Sequence, residues 1–218
     1  MKRLTLFCGH YGSGKTNIAV NYALRQSREG RGVTVADLDI VNPYFRSKDS
    51  RDELEEAGIR LICSEYANTN VDIPALPPEL YSITHDKSRQ VILDIGGDDR
   101  GALVLGRIAP AILEENNYEM LLVINRHRPL TPDVASTVEV MREIEVAGGI
   151  RFTGLVNNSN LGESTDAETI LRSVEYAEEV SRATGLPLVM TAVKEELLPA
   201  LEGRIPNLFP LRLQKKIL

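Results

Sequence analysis

Apolar and polar positions fall into two alternating patterns along this chain. Short, largely apolar runs at Leu4–Cys8, Val33–Ala36, Ile59–Cys63, Gln90–Ile95, Glu119–Ile124, Phe152–Val156 and Leu186–Met190 predict strands. Their continuous character predicts a parallel sheet covered on both faces. Between them, apolar residues recur at helical spacing. They are Ile18, Ala19, Tyr22 and Ala23 within Asn17–Arg28, then Val134, Val138, Met141 and Ile144 ahead of Gly148–Gly149, then Ile170, Leu171, Val174, Ala177 and Val180. A further helix is expected over Leu103–Glu115. Ser50 with Glu53, and Thr165 with Glu168, have the spacing of capping boxes, and Thr131–Pro132–Asp133 places a proline at a helix start. Shorter helices are expected up to Gly58, over Glu79–Thr84 and over Glu195–Leu201. Strands alternating with helices predict an α/β fold, a mostly parallel sheet between two helical layers, with ligands at the C-terminal strand edge.

The first passage from strand to helix reads GHYGSGKT, Gly9 to Thr16, and fits G-x-x-x-x-G-K-[ST] at every fixed position. In such a loop backbone N–H groups wrap phosphates, and Gly9, Gly12 and Gly14 let the chain approach the anion with no Cβ between. Lys15 reaches the β- and γ-phosphates as a point charge, and the Thr16 hydroxyl is placed for Mg²⁺. The helix that follows turns its positive end to the same phosphates. Gly9, Gly12, Ser13, Gly14, Lys15 and Thr16, with the adjoining Asn17, are therefore the candidate nucleotide-binding residues, and Lys15 is a catalytic candidate.

Other polar residues collect where strands end. Asp94, in VILDIGG, is a candidate metal residue acting through water, and Gly97 can offer its N–H to a γ-phosphate. Asp39, at the mouth of the long loop after the second strand, is the second catalytic candidate, orienting the attacking water or a metal-bound one. Asp37 reads as a brace for adjacent loops rather than a catalyst. Arg46, Arg100, Arg126 and Arg128 crowd the same edge, and phosphoryl transfer needs positive charge beyond Lys15 and Mg²⁺. The sequence does not choose among them. His10 and Tyr11 read as loop-tip residues, and His85 and His127 as surface positions.

Composition narrows the classes. A chain of 218 residues, 43% hydrophobic and 26% charged, suits one domain over 1–218, with no linker, repeat or low-complexity tract. A net charge of −6 argues against a nucleic-acid surface. No charged-then-apolar leader and no bilayer-length apolar run is visible. Cys8 and Cys63 have no zinc or redox spacing. A cytoplasmic location is expected.

Taken together, the motifs resemble the MinD/ParA-like (CobQ/CobB/MinD/ParA nucleotide-binding) branch of P-loop ATPases across nearly the whole chain. GHYGSGKTNIAVNYA looks like its phosphate loop, VTVADLDIVNP like its switch I, VILDIGGDD like its switch II, and LPLVMTAVKEELLPALEGRIP like its closing strand, loop and helix. The resemblance implies that Thr16, Asp39 and Asp94 serve Mg²⁺ and the water, that Gly97 belongs to switch II, and that Asn157 or Asn158, in VNNSN, reads the base. His10 stands where the ParA/MinD loop carries an extra lysine, and DIGGDD replaces the family's proline-containing switch II. With no N-K-x-D in the chain, ATP is the expected nucleotide.

Two functional classes follow. One is a slow ATPase switch, in which ATP orders the Asp39–Asp49 and Gly96–Arg100 loops and so controls a protein client such as a metalloenzyme or redox complex, with an ATP-dependent homodimer left open. The other is a small-molecule enzyme of dethiobiotin-synthetase or cobyrinate-amidating type, with a pocket built from Ser64–Pro78 and the NPYFR loop. The tail NLFPLRLQKKIL reads either as a basic amphipathic end for anionic lipid, the less favoured reading, or as a docked C-terminal helix.

Overall fold

The computed structural model describes residues 2–39, 50–63, 78–97 and 99–213. Its strands are β1 Leu4–Gly9, β2 Val33–Leu38, β3 Arg60–Cys63, β4 Gln90–Gly96, β5 Tyr118–Ile124, β6 Gly154–Asn157, β7 Leu188–Lys194 and β8 Leu208–Leu211. They form one sheet in the order β3-β2-β4-β1-β5-β6-β7-β8, every pair parallel. The helices are α1 Lys15–Arg28, α2 Arg51–Glu56, α3 Pro78–His85, α4 Asp99–Glu115, α5 Val134–Gly148, α6 Ala167–Thr184 and α7 Leu198–Leu201.

Alternate side chains of the strands feed two large cores, and a third, smaller cluster gathers Val193 of β7 with Ile170, Leu201 and Ile205. Leu4, Leu6 and Cys8 of β1 join Leu93 and Ile95 of β4 under α3, α4 and α5, with α6 packing on the same side. Phe7, Val33, Val35 and Ile92 join Ile18, Ala19 and Ala23 of α1, and Leu54 of α2, on the other. A strand buried on both faces has no polar positions to alternate, so its sequence reads as an unbroken apolar run.

The topology creates a crevice. From β1 the chain passes through α1 to β2 on one side, and from β4 it passes over β1 through α4 to β5 on the other. β1 and β4, neighbours in the sheet, thus send their chains off in opposite directions, and parallel α/β sheets hold their ligands at such a switch point.

Helix starts differ from the sequence reading at three places. Thr131 is not the cap of α5: Asp133 is, its carboxylate accepting from Ser136 N at 2.9 Å, while Thr131 Oγ1 donates to Asn125 O. At α6 the cap is Asp166, not Thr165, whose hydroxyl closes the preceding loop on Gly162 O. Both aspartates have the extended backbone an N-cap needs, and a carboxylate accepts the N–H bond more strongly than a threonine hydroxyl. Ser50 at α2 makes no side-chain cap bond, because its backbone (φ −100°, ψ 17°) is not extended. In addition α4 begins at Asp99, four residues before Leu103, since Gly101 lets the first turn pack directly on the Gly96 carbonyl.

The tail is also corrected. Leu208–Leu211 is neither a membrane-surface helix nor a docked helix but a strand parallel to β7, burying Phe209 and Leu211 against α1. Residues 214–218, the rest of that segment, lie outside the described residues, as do the 40–49 loop, the 64–77 segment, Asp98 and the Arg100 side chain. No helix among the described residues is long and apolar enough to cross a membrane.

At the opposite sheet edge, Arg3 joins β1 to its surroundings. Its Nε and Nη2 donate to both oxygens of Glu115, and Nη2 also donates to Ile83 O at 3.0 Å. That pairing holds the Glu115 carboxyl below its ordinary range. Both side chains are more than nine-tenths buried. Glu115→Gln leaves a buried guanidinium without its counter-charge. It should cost about 2 kcal/mol, the amide oxygen retaining one bond, and lower the melting temperature by about 4–8 °C. An unchanged melting curve would show that Arg3 is held by backbone carbonyls alone.

Candidate nucleotide site

The loop between β1 and α1 turns on two glycines in the left-handed region, Gly12 at φ 77° and Gly14 at φ 87°. Gly14 also has no room for a side chain: a Cβ there would lie 2.3 Å from Asn158 Nδ2. Gly9 is closed in the same way, 2.5 Å from Val123 O of β5. The glycines are thus required both by turn geometry and by contact with neighbouring strand ends.

Lys15 and Thr16 open α1, and both are buried. The Lys15 ammonium donates to Asp39 Oδ2 and forms an ion pair with it. Asp37 and Asp94 lie side by side in register on β2 and β4, on the same face as Phe7, the face covered by α1. Three buried carboxylates, Asp37, Asp39 and Asp94, thus surround one buried lysine. Burial works against the charge on Lys15, but Asp94 and then Asp39 outweigh it and hold the ammonium above its ordinary range. Burial, followed by Asp94, pushes the Asp37 carboxyl up to about 8. Asp37 Oδ1 accepts from Asp39 N at 3.1 Å, matching its reading as a brace. Burial pushes the Cys8 thiol up to about 12, which leaves it protonated and unreactive.

Among the described residues this buried group counts three carboxylates to one ammonium. Thr16 Oγ1 is buried without a hydrogen-bond partner among the described residues, as is Ser13 Oγ. An orphaned hydroxyl beside clustered carboxylates is an all-oxygen donor set, which suits a hard divalent cation such as Mg²⁺. Among the described residues no three His, Cys, Asp or Glu side chains form a metal cage by themselves. Mg²⁺ needs no such cage, since it keeps waters and takes phosphate oxygens.

Gly97 follows β4 and lies directly on the loop's first residue. A Cβ there would sit 2.1 Å from Gly9 O and 2.9 Å from His10 N. The two asparagines after β6 are bonded within the protein. Asn157 donates to Ser173 Oγ of α6 at 2.9 Å, and Asn158 donates to Ser13 O at 2.6 Å while accepting from Asn160. Asn17 begins the exposed side of α1, its carbonyl accepting from Asn21. His10 and Tyr11 are at the loop tip, with Tyr11 half exposed, and His85 and His127 are on the surface.

One contact was not legible in the sequence: Arg128 Nε donates to Gly12 O at 2.7 Å. The sequence showed an arginine in the loop after β5, but only the neighbour relation of β1 and β5 puts it against the phosphate loop.

No protein-family model matches the sequence, and no curated protein does. Solved structures are similar in fold. The cell division protein FtsY from Thermotoga maritima is 15% identical with a TM-score of 0.59, over 88% of this chain and 62% of that one. The signal recognition particle receptor FtsY from Elizabethkingia anophelis, in complex with GDP, is 16% identical with a TM-score of 0.54, over 99% and 61%. Signal recognition particle 54 kDa protein from Aeropyrum pernix K1, also in complex with GDP, is 16% identical with a TM-score of 0.53, over 86% and 40%. The chain thus spans about three fifths of the FtsY structures or less of such neighbours' length. At this identity the likeness concerns fold, and the fold of this chain is the parallel α/β fold of P-loop nucleoside-triphosphatases.

Proposed function

We propose that this chain is a Mg-dependent nucleoside-triphosphate hydrolase acting as a switch, with ATP as its nucleotide, of the MinD/ParA-like branch. The observation that carries this reading is the buried group at the mouth of α1: Lys15 and Thr16 beside Asp39 and Asp94, at the crevice above β1. The loop N–H groups and Lys15 hold the phosphates, with Gly9, Gly12, Ser13, Gly14 and Asn17 completing the loop. Mg²⁺, held by Thr16 Oγ1 and by Asp39 and Asp94 through water, would neutralise the phosphate oxygens. Asp39, already bonded to Lys15, orients the attacking water. Asn157 or Asn158 contacts the base, and Gly97, packed on Gly9, couples the β4 end to phosphate occupancy.

ATP rests on the absence of N-K-x-D from the sequence. The GDP of the similar structures belongs to those proteins, so both nucleotides are to be offered. The client that the switch controls is a protein, a metalloenzyme or redox complex. An ATP-dependent homodimer is read by light scattering with and without Mg-ATP. The small-molecule alternative draws no support from the described residues, since its pocket segments lie outside them.

Asp39→Ala is the test. We expect Mg-ATP affinity close to the parent's and phosphate release slower by about a hundredfold, the usual scale for a positioned acid–base group. Release at the parent rate would sink the role given to Asp39. If the parent binds neither ATP nor GTP, the whole proposal fails.

A further inference from the structure

Of the arginines near the C-terminal sheet edge, the two with described side chains go different ways. Arg126 turns to α6, donating to Arg172 O at 3.2 Å and lying over the Tyr176 ring, 5.7 Å from its centre. Arg128 turns to the phosphate loop, where Nε donates to Gly12 O at 2.7 Å. Nothing intervenes at residue 12. A Cβ built on Gly12 would be 3.4 Å from Nε and 3.7 Å from Cζ, so the guanidinium packs closely on the loop at this residue.

The segment carrying Arg128 is held from several sides. Asn125 O accepts from Arg128 N at 3.1 Å and from Thr131 Oγ1 at 2.8 Å. Asn125 Oδ1 accepts from His127 N at 3.0 Å, Arg126 N donates to Ser159 Oγ, and Tyr176 Oη donates to Thr131 O. Both the root and the tip of the side chain are therefore fixed before any ligand arrives. Such a fixed group loses little freedom at the moment of reaction. Among the described residues Nη1 and Nη2 make no hydrogen bond, so the permanent charge of this half-buried arginine is spent on a single carbonyl. A brace alone needs one neutral donor, whereas this group brings a full charge and four further N–H donors.

We propose that Arg128 is the in-chain arginine that serves hydrolysis at the Lys15 site, with Nε as its anchor on Gly12 and its Nη groups directed to the nucleotide's terminal phosphates. The inference rests on the nucleotide reading above. In the reaction a water oxygen bonds to the γ-phosphorus, and the bond from that phosphorus to the β,γ-bridging oxygen breaks. The electron pair of that bond stays on the diphosphate. One water proton remains on the released phosphate and the other passes to solvent. Arg128 exchanges no proton. It offsets the negative charge that grows on the transferring group and the leaving oxygen, so it acts more strongly on the transition state than on the bound substrate.

Parent, Arg128→Ala and Arg128→Lys chains are compared in ADP affinity, Mg-ATP affinity, single-turnover hydrolysis and melting temperature. Arg128→Ala should bind ADP within about threefold of the parent yet hydrolyse about a hundredfold more slowly. Millimolar guanidinium ion should restore part of that rate. Arg128→Lys keeps the charge without the planar anchor and should fall between. It also carries the test if the alanine variant fails to fold. Hydrolysis by the alanine variant at the parent rate overturns the proposal. So does a loss of ADP affinity equal to the loss of rate, without guanidinium rescue, which marks Arg128 as a loop brace only. A parent chain that binds no triphosphate overturns the nucleotide reading and this role together, whereas an active parent with an unaffected variant overturns the role alone.

Discussion

Lys15→Ala should abolish tight nucleotide binding, weakening Mg-ATP affinity by about a hundredfold or more, which is about 3 kcal/mol. Among the described residues Lys15 is the cation buried with Asp37, Asp39 and Asp94, so the effect extends beyond the ligand. Without it the three carboxylates face one another in a desolvated space. The Asp37 carboxyl, already pushed up to about 8 by burial and Asp94, loses the lowering influence of Lys15 and rises further.

The sign of the stability effect follows. A carboxyl raised in the folded state binds protons there that the unfolded chain has already lost. Its contribution is present below the unfolded value of 3.8 and is lost as pH rises toward about 8. The Lys15→Ala chain should therefore melt lower than the parent at pH 8, by more than at pH 5.5. Calorimetric titration with Mg-ATP reads the first effect, and melting curves at the two pH values read the second. Undiminished affinity would remove Lys15 from the phosphate site. A melting deficit larger at pH 5.5 than at pH 8 would mean that the carboxylates are not the source of the instability.

Gly97→Ala is the second large effect. The added methyl would lie 2.1 Å from Gly9 O, 2.5 Å from Gly9 C and 2.9 Å from His10 N, all backbone atoms that cannot swing aside. The end of β4 must separate from the end of β1, where Gly9 and Gly96 pair. Overpacking of this kind costs about 1–3 kcal/mol, or about 2–12 °C in melting temperature. Since the displaced residue is the first of the phosphate loop, nucleotide affinity should fall with it. Gly106→Ala is the control. That glycine lies on the exposed side of α4, where a Cβ would meet only Ala147 O at an ordinary 3.5 Å. There alanine's helix preference should add up to about 1 kcal/mol. If both variants behave like the parent, the contact between Gly97 and Gly9 does not hold the loop.

Much of this molecule is decided locally, and local decisions are legible. Largely apolar runs such as Leu4–Cys8 and Val91–Leu93 mark strands covered on both faces, which implies the parallel sheet and its helical layers. GHYGSGKT determines a tight glycine loop between strand and helix, because Gly12 and Gly14 take the positive φ that such a turn needs. Helix caps were less legible. Thr131 and Thr165 satisfy the pattern as well as Asp133 and Asp166 do, and the choice depends on which hydroxyl a neighbouring loop has already taken.

What only the tertiary structure decided are the relations between segments distant in sequence. Strand β8 is too short to announce itself and exists because β7 offers an edge and α1 an apolar face for Phe209. Asp37 and Asp94 share a register because β2 and β4 are neighbours, although β3 intervenes in sequence. Arg128 meets Gly12 because β5 lies beside β1. Glycines show the same division: the positive φ of Gly12 belongs to a local turn, whereas Gly97 is required by an atom from a strand some ninety residues away. The amino-acid sequence by itself determined most of the elements and the glycine-rich loop, since these depend on short-range pattern. Strand order determined which charges face the loop, since that depends on which surfaces the two cores bring together.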